Sequence, residues 1–159
     1  MEKKLKYYAG IGSRTAPEDA LKYCTQLAEW LEKKGYILRT GGADGADKAF
    51  EAGVSDPFKK VILRPKHSTE EAESVASKIH PAWHACNEYA RQLHGRNVQL
   101  ILGENLDKPV DFVVAWTYDG IKSGGSRTGL VLAKQLKIPN FNLANSFEKD
   151  LFAAFLQKL

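Results

Sequence analysis

The chain has 159 residues, 43% of them apolar and 26% charged, with a formal net charge of +4 at pH 7 and only two cysteines. That composition is ordinary for a soluble globular protein. No apolar run approaches the roughly 18 residues of a membrane span, and the start "MEKKLKYYAGIG" has no apolar core of a signal peptide.

Residues 5–11 (LKYYAGI) read as a first strand. Thr15 and Glu18 have capping-box spacing, which predicts a helix from about Ala16, and Leu21, Cys24, Leu27, Ala28 and Leu31 follow at helical spacing to a Gly35 C-cap. Residues 36–40 (YILRT) form a second strand, "GGADGAD" a turn, and a short helix runs to about Ala52. Residues 59–65 (KKVILRP) read as a third strand, and Ser68 with Glu71 as a second capping box opening a helix that Pro81 breaks. A further helix over 82–94 is expected to end at Gly95, with 96–105 again leaning to helix. Residues 110–116 (VDFVVAW) are a buried strand, 117–126 a loop, 127–137 a helix, 138–143 a strand and 146–159 a closing helix.

Strands alternating with helices predict an α/β fold: one Rossmann-like, doubly wound domain over 1–159, with a mainly parallel sheet of about five strands and helices on both faces. Cys24 and Cys86 fall in helix-like segments and read as buried, reduced thiols of a cytoplasmic protein. Ligands of such folds bind beyond the carboxyl ends of the strands. Three Gly-rich loops are expected at that edge. They are Gly10-Ile11-Gly12-Ser13-Arg14, then Gly41-Gly42-Ala43-Asp44-Gly45-Ala46-Asp47, then Ser123-Gly124-Gly125-Ser126-Arg127-Thr128. Each leads into a helix N-terminus, the arrangement that binds phosphate. The plainer reading is that the glycines only permit tight turns. There is no P-loop motif, and Thr40 stands where a dinucleotide-binding strand ends in a carboxylate, so a P-loop NTPase and a standard NAD enzyme are both disfavoured.

These motifs resemble the Rossmann-like domain of DNA-processing protein A (Smf), in a superfamily shared with the LONELY GUY phosphoribohydrolases, over about residues 6–143. The family's G-S-R is matched by Gly12, Ser13 and Arg14. Its S-G-x-A-x-G-I-D is matched by Gly41, Ala43, Gly45 and Asp47, with Thr40 and Ala46 as departures. Its R-N-R is matched by Arg96 and Asn97, with Val98 departing. Its K-S-G-S-x-x-T-A is matched by Lys122, Ser123, Gly124 and Thr128, with Gly125 and Gly129 departing. The DNA-processing motifs match better than the hydrolase motif P-G-G-x-G-T-x-x-E, whose glutamate falls on Val131. A valine can neither take a proton nor stabilise an oxocarbenium ion, which puts that hydrolysis in doubt.

Arg14 fits a bidentate phosphate contact; its bland alternative is a solvated or capping arginine. For Asp47 a helix cap is the plainer role. Arg96 and Asn97 meet a ligand only through the resemblance. Trp116 and Tyr118 flank a strand end and could stack on a base, or Trp116 could pack under the loop. Trp83 and Asn87, four apart, could present one face of a helix. His80, His84 and Cys86 suggest zinc, but Pro81 interrupts them and no second ligand pair follows, so no metal and no cofactor is expected. The first functional expectation is a nucleotide-type small molecule, such as a nucleoside phosphate or an ADP-ribose derivative, bound by a sensor, a sequestering protein or an atypical N-glycoside hydrolase. The alternative is a single-stranded DNA-binding module acting in recombination, which needs a basic groove with stacking aromatics. No membrane partner is expected, and self-association is left open.

Overall fold

The computed structural model describes residues 4–118 and 126–159. The strands are β1 (Lys6–Gly12), β2 (Tyr36–Thr40), β3 (Lys60–Ile62), β4 (Phe112–Trp116) and β5 (Asn140–Asn142). The helices are α1 (Glu18–Lys33), α2 (Ala46–Ala52), α3 (Glu70–Ser77), α4 (Glu88–Leu102), α5 (Ser126–Gln135) and α6 (Ser146–Leu156). The strands form one five-stranded sheet in the order β3-β2-β1-β4-β5, with every pairing parallel. This is the expected doubly wound α/β fold. No helix among the described residues is long and apolar enough to cross a membrane.

Period-two alternation along the central strands divides the core. Tyr8 of β1, with Phe112 and Val114 of β4, faces one side, where Cys24, Leu27 and Leu31 of α1, Phe50 of α2 and Phe152 of α6 cover it. Ala9 and Ile11, with Val113 and Ala115, face the other side, covered by Ala72 and Ala76 of α3, Val98 and Ile101 of α4, and Leu130 and Ala133 of α5. A strand buried on both faces must be apolar throughout, as "FVVAW" is.

Several boundaries differ from expectation. Thr15 does not cap α1; the helix starts at Glu18 behind Pro17, and the Thr15 amide donates instead to Ser13 Oγ at 3.1 Å. Thr69, not Ser68, caps α3, and Ser68 Oγ donates to Glu73 Oε2 at 2.9 Å. Residues 82–94 are not one helix: Trp83–Ala85 is a 3-10 turn, and Asn87 caps α4 by accepting the Ala90 amide at 2.8 Å. Trp83 and Asn87 therefore share no helical face. Gly95 ends nothing, because α4 runs through it to Gly103, whose φ of 96° makes the stop. Cys24 is buried on α1, whereas Cys86 is half-buried between the 3-10 turn and α4.

Candidate functional site

From β1 the chain leaves towards the α1 face, and from β4 towards the α5 face, so a crevice opens beyond their carboxyl ends. A cavity of about 360 Å³ lies there. One wall is the chain leaving β1, from Ile11 and Gly12 through Ser13 and Arg14 to Thr15. Ala43 and Asp47 close it from the loop after β2. Leu93, Arg96, Asn97 and Leu100 of α4 form the opposite wall, with Thr117, Tyr118 and Ser126 at the β4 end. Gly12, Ser13, Arg14, Ala43, Asp47, Arg96, Asn97, Tyr118 and Ser126 are thus brought to one cavity from segments far apart in sequence.

Asp47 is the organising residue. It sits in the first turn of α2 and is buried. Its Oδ1 accepts the Gly12 amide at 3.1 Å, and its Oδ2 the Ala43 amide at 3.4 Å. One carboxylate therefore joins the loop after β1 to the loop after β2. Burial pushes the Asp47 carboxyl up to about 6, against the pull of Arg96 and the amides of Ala43, Gly12 and Gly41.

The glycines are explained by contacts within the protein. A Cβ on Gly10 would enter the Phe50 ring, and one on Gly12 would meet the Trp116 carbonyl and Ala46. On Gly41 it would meet Arg96 and Asp47. At Gly42, with φ of 69°, it would meet Arg64 and Ile62, and at Gly45, with φ of 84°, the Ser13 and Arg14 carbonyls. The loops approach one another there, and only residues without a side chain fit. The amides of the first loop are largely committed too: Gly12 donates to Asp47, Ser13 to the Trp116 carbonyl at 2.8 Å and Thr15 to Ser13 Oγ. The charge available to an anion is therefore mainly side-chain charge.

That charge is cationic. Arg96, buried in the middle of α4, donates through Nη1 to the carbonyls of Gly41 (3.0 Å) and Leu63 (2.9 Å) and through Nε to Asn97 Oδ1 (2.9 Å). It ties the ends of β2 and β3 to α4. Burial lowers the Arg96 pKa, Asp47 opposes that, and Arg64 and Arg14 add to it, so three guanidinium groups share one field. Arg14 is exposed on the rim. Arg64, also exposed, donates to the Gly42 carbonyl at 2.9 Å. Among the described residues the ion pair within 4.0 Å is Lys48–Asp44, so none of these arginines touches a carboxylate at that distance, and Asp47 is the negative charge that acts on Arg96. Arg64 belongs to none of the sequence motifs, although it stands two residues after β3 and so falls on the same edge.

Tyr118 is 59% exposed and lines the cavity, its hydroxyl donating to the Thr15 carbonyl at 2.7 Å. Trp116 is half-buried and meets the Tyr118 ring edge-on at 4.5 Å, while also packing on the α1 side of the core. Thr128 is buried within α5, with its hydroxyl 3.0 Å from His94 Nδ1. Val131 packs against the α3–α5 core, so no carboxylate occupies that position. The expected ligand positions Ser123, Gly124 and Gly125 lie outside the described residues.

No family model matches the chain, and no curated protein matches it. Among solved structures it resembles DNA processing protein A from Helicobacter pylori, described for its unique single-stranded DNA binding mode, at 23% identity and a TM-score of 0.54. The match covers 87% of this chain and 64% of that one, so this chain spans less than two thirds of its neighbour. The likeness is one of fold.

Proposed function

We propose that this chain binds single-stranded DNA along the carboxyl edge of its sheet. In this reading one nucleotide enters the cavity at the β1–β4 crevice. Arg14 and Arg64 meet phosphates along the strand, and Tyr118 offers a ring for a base. The observation that carries the reading is the exposed pair Arg14 and Arg64, neither within 4.0 Å of a carboxylate, beside the exposed Tyr118. Such a cationic rim suits a polyanion that extends past the cavity. Tyr89, 60% exposed at the start of α4 and close enough to act on Arg96, provides a second exposed ring on that side. The fold shared with a protein whose single-stranded DNA binding has been described supports the same assignment.

A second reading has its own observation. The cavity volume of about 360 Å³ falls in the range of small-ligand sites, which suits a discrete nucleotide-type molecule. The weaker motif resemblance to phosphoribohydrolases belongs to this reading, and Val131 leaves it without that family's glutamate. Competition separates the two. A fluorescent oligonucleotide bound to the protein is challenged with unlabelled oligonucleotide and with mononucleotides and ADP-ribose. Displacement only by the oligonucleotide supports the DNA reading. A mononucleotide that binds one to one as tightly as the oligonucleotide rejects it.

A further inference from the structure

We propose that His80, Cys86 and His94 bind one zinc ion, beside the cavity and independently of DNA. One donor atom from each lies within 4.8 Å of the others. The trio draws on the segment after α3, the stretch between the 3-10 turn and α4, and α4 itself. The Cys86 sulfur is 3.8 Å from His80 Nε2 and 3.9 Å from its Nδ1, and the His80 and His94 ring centroids are 4.5 Å apart. All three residues are half-buried, so an ion can enter and the donors are partly shielded from water.

The donor set selects the metal. A thiolate with two imidazoles is a borderline-soft N/S set that favours zinc over calcium or magnesium. Three protein ligands leave a fourth tetrahedral position for water. His94 Nδ1 is 3.0 Å from Thr128 Oγ1, an outer contact that fixes the ring and leaves Nε2 to face the ion.

Two features oppose binding. The Ala82 amide donates to His80 Nδ1 at 3.0 Å, fixing the tautomer with its proton on Nε2. Ligation through either nitrogen requires that contact to be released. The loss of one hydrogen bond is small beside the binding of zinc by a thiolate and two imidazoles. Arg96 and Arg127 are cationic neighbours, and the thiolate offsets part of that charge. On binding, a zinc–sulfur bond replaces a zinc–water bond, and the Cys86 thiol proton passes to solvent.

The sequence hid this trio. Five and seven residues separate the ligands, unlike any finger spacing, and the adjacent His84 is exposed and takes no part. The ion would pin the 80–86 segment to α4, the helix that carries Leu93, Arg96 and Asn97 into the cavity.

The test is titration of the reduced full chain with zinc and with cobalt as its spectroscopic substitute. One ion per chain is expected, with tetrahedral cobalt bands, a thiolate-to-cobalt charge-transfer band and a zinc-dependent rise in melting temperature. Cys86→Ala should abolish the charge-transfer band, while Cys24→Ser, at the other cysteine, should keep it. His80→Gln and His94→Gln should each weaken zinc binding at least about tenfold. Should a histidine variant fail to fold, the half-buried Cys86 position still decides the matter. Absence of the charge-transfer band, its persistence in Cys86→Ala, or unchanged affinity in both histidine variants would overturn the proposal.

Discussion

At the scale of single residues, Asp47 holds the site together and Arg14 stands free to use it. Asp47→Asn keeps the shape but replaces one acceptor oxygen with an amide donor, facing either the Gly12 or the Ala43 N–H. We expect a loss of about 1–3 kcal/mol in urea unfolding at neutral pH. The pH dependence has a definite sign. The folded pKa is raised to about 6 from an ordinary 3.8, so between those values the folded state holds more protons than the unfolded one. The Asp47 contribution to stability therefore falls as pH rises through that window, and the advantage of wild type over Asp47→Asn should shrink from about pH 4 to 6. An advantage that grows over this range would contradict the assignment. An anion beside Asp47 favours its protonated form, so binding should also tighten as pH falls below about 6. Gly45→Ala tests the loop contact: its φ of 84° and the Ser13 and Arg14 carbonyls leave no room for a Cβ. Its melting curve should show a loss above about 1 kcal/mol.

At the scale of elements, α4 does most to place the site, and it was only partly legible in the sequence. The apolar periodicity of α1 and the run "FVVAW" of β4 declared themselves, because amphipathic helices and doubly buried strands have distinct patterns. Gly95 read as a stop. In the structure it is the point where α4 meets α3, and a Cβ there would strike Ser68 Oγ and Glu73. A glycine needed for close packing has the same letter as one needed for a turn, and only the neighbouring helix tells them apart. Arg96 and Asn97 are therefore buried positions in the middle of one continuous helix, not the start of a second one. Gly95→Val should cost about 1–3 kcal/mol through overpacking, despite valine's better helix propensity. A variant as stable as wild type would show that α3 and α4 can separate freely. The first two Gly-rich loops were legible as a shared edge, whereas their use was not. Which amides already have partners depends on Asp47 and Trp116, which only the fold brings near.

At the scale of the whole molecule, the strand order sets the crevice between β1 and β4, and the arginines set its sign. The net charge of +4 is modest, so the relevant quantity is its local arrangement. Arg14→Ala removes a rim cation without disturbing a packed contact. It should weaken DNA binding by about 1.5–3 kcal/mol while leaving the melting temperature nearly unchanged. The most direct measurement is affinity for single-stranded oligonucleotides of increasing length, by fluorescence anisotropy over a range of salt concentrations, for wild type and Arg14→Ala. Affinity should rise with length until the edge is covered, fall steeply with salt, and in Arg14→Ala lose about 0.7 of a unit in log–log slope, one phosphate contact's worth. Affinity already at its limit with a mononucleotide, with the same shallow salt slope in both proteins, would contradict DNA binding along this edge.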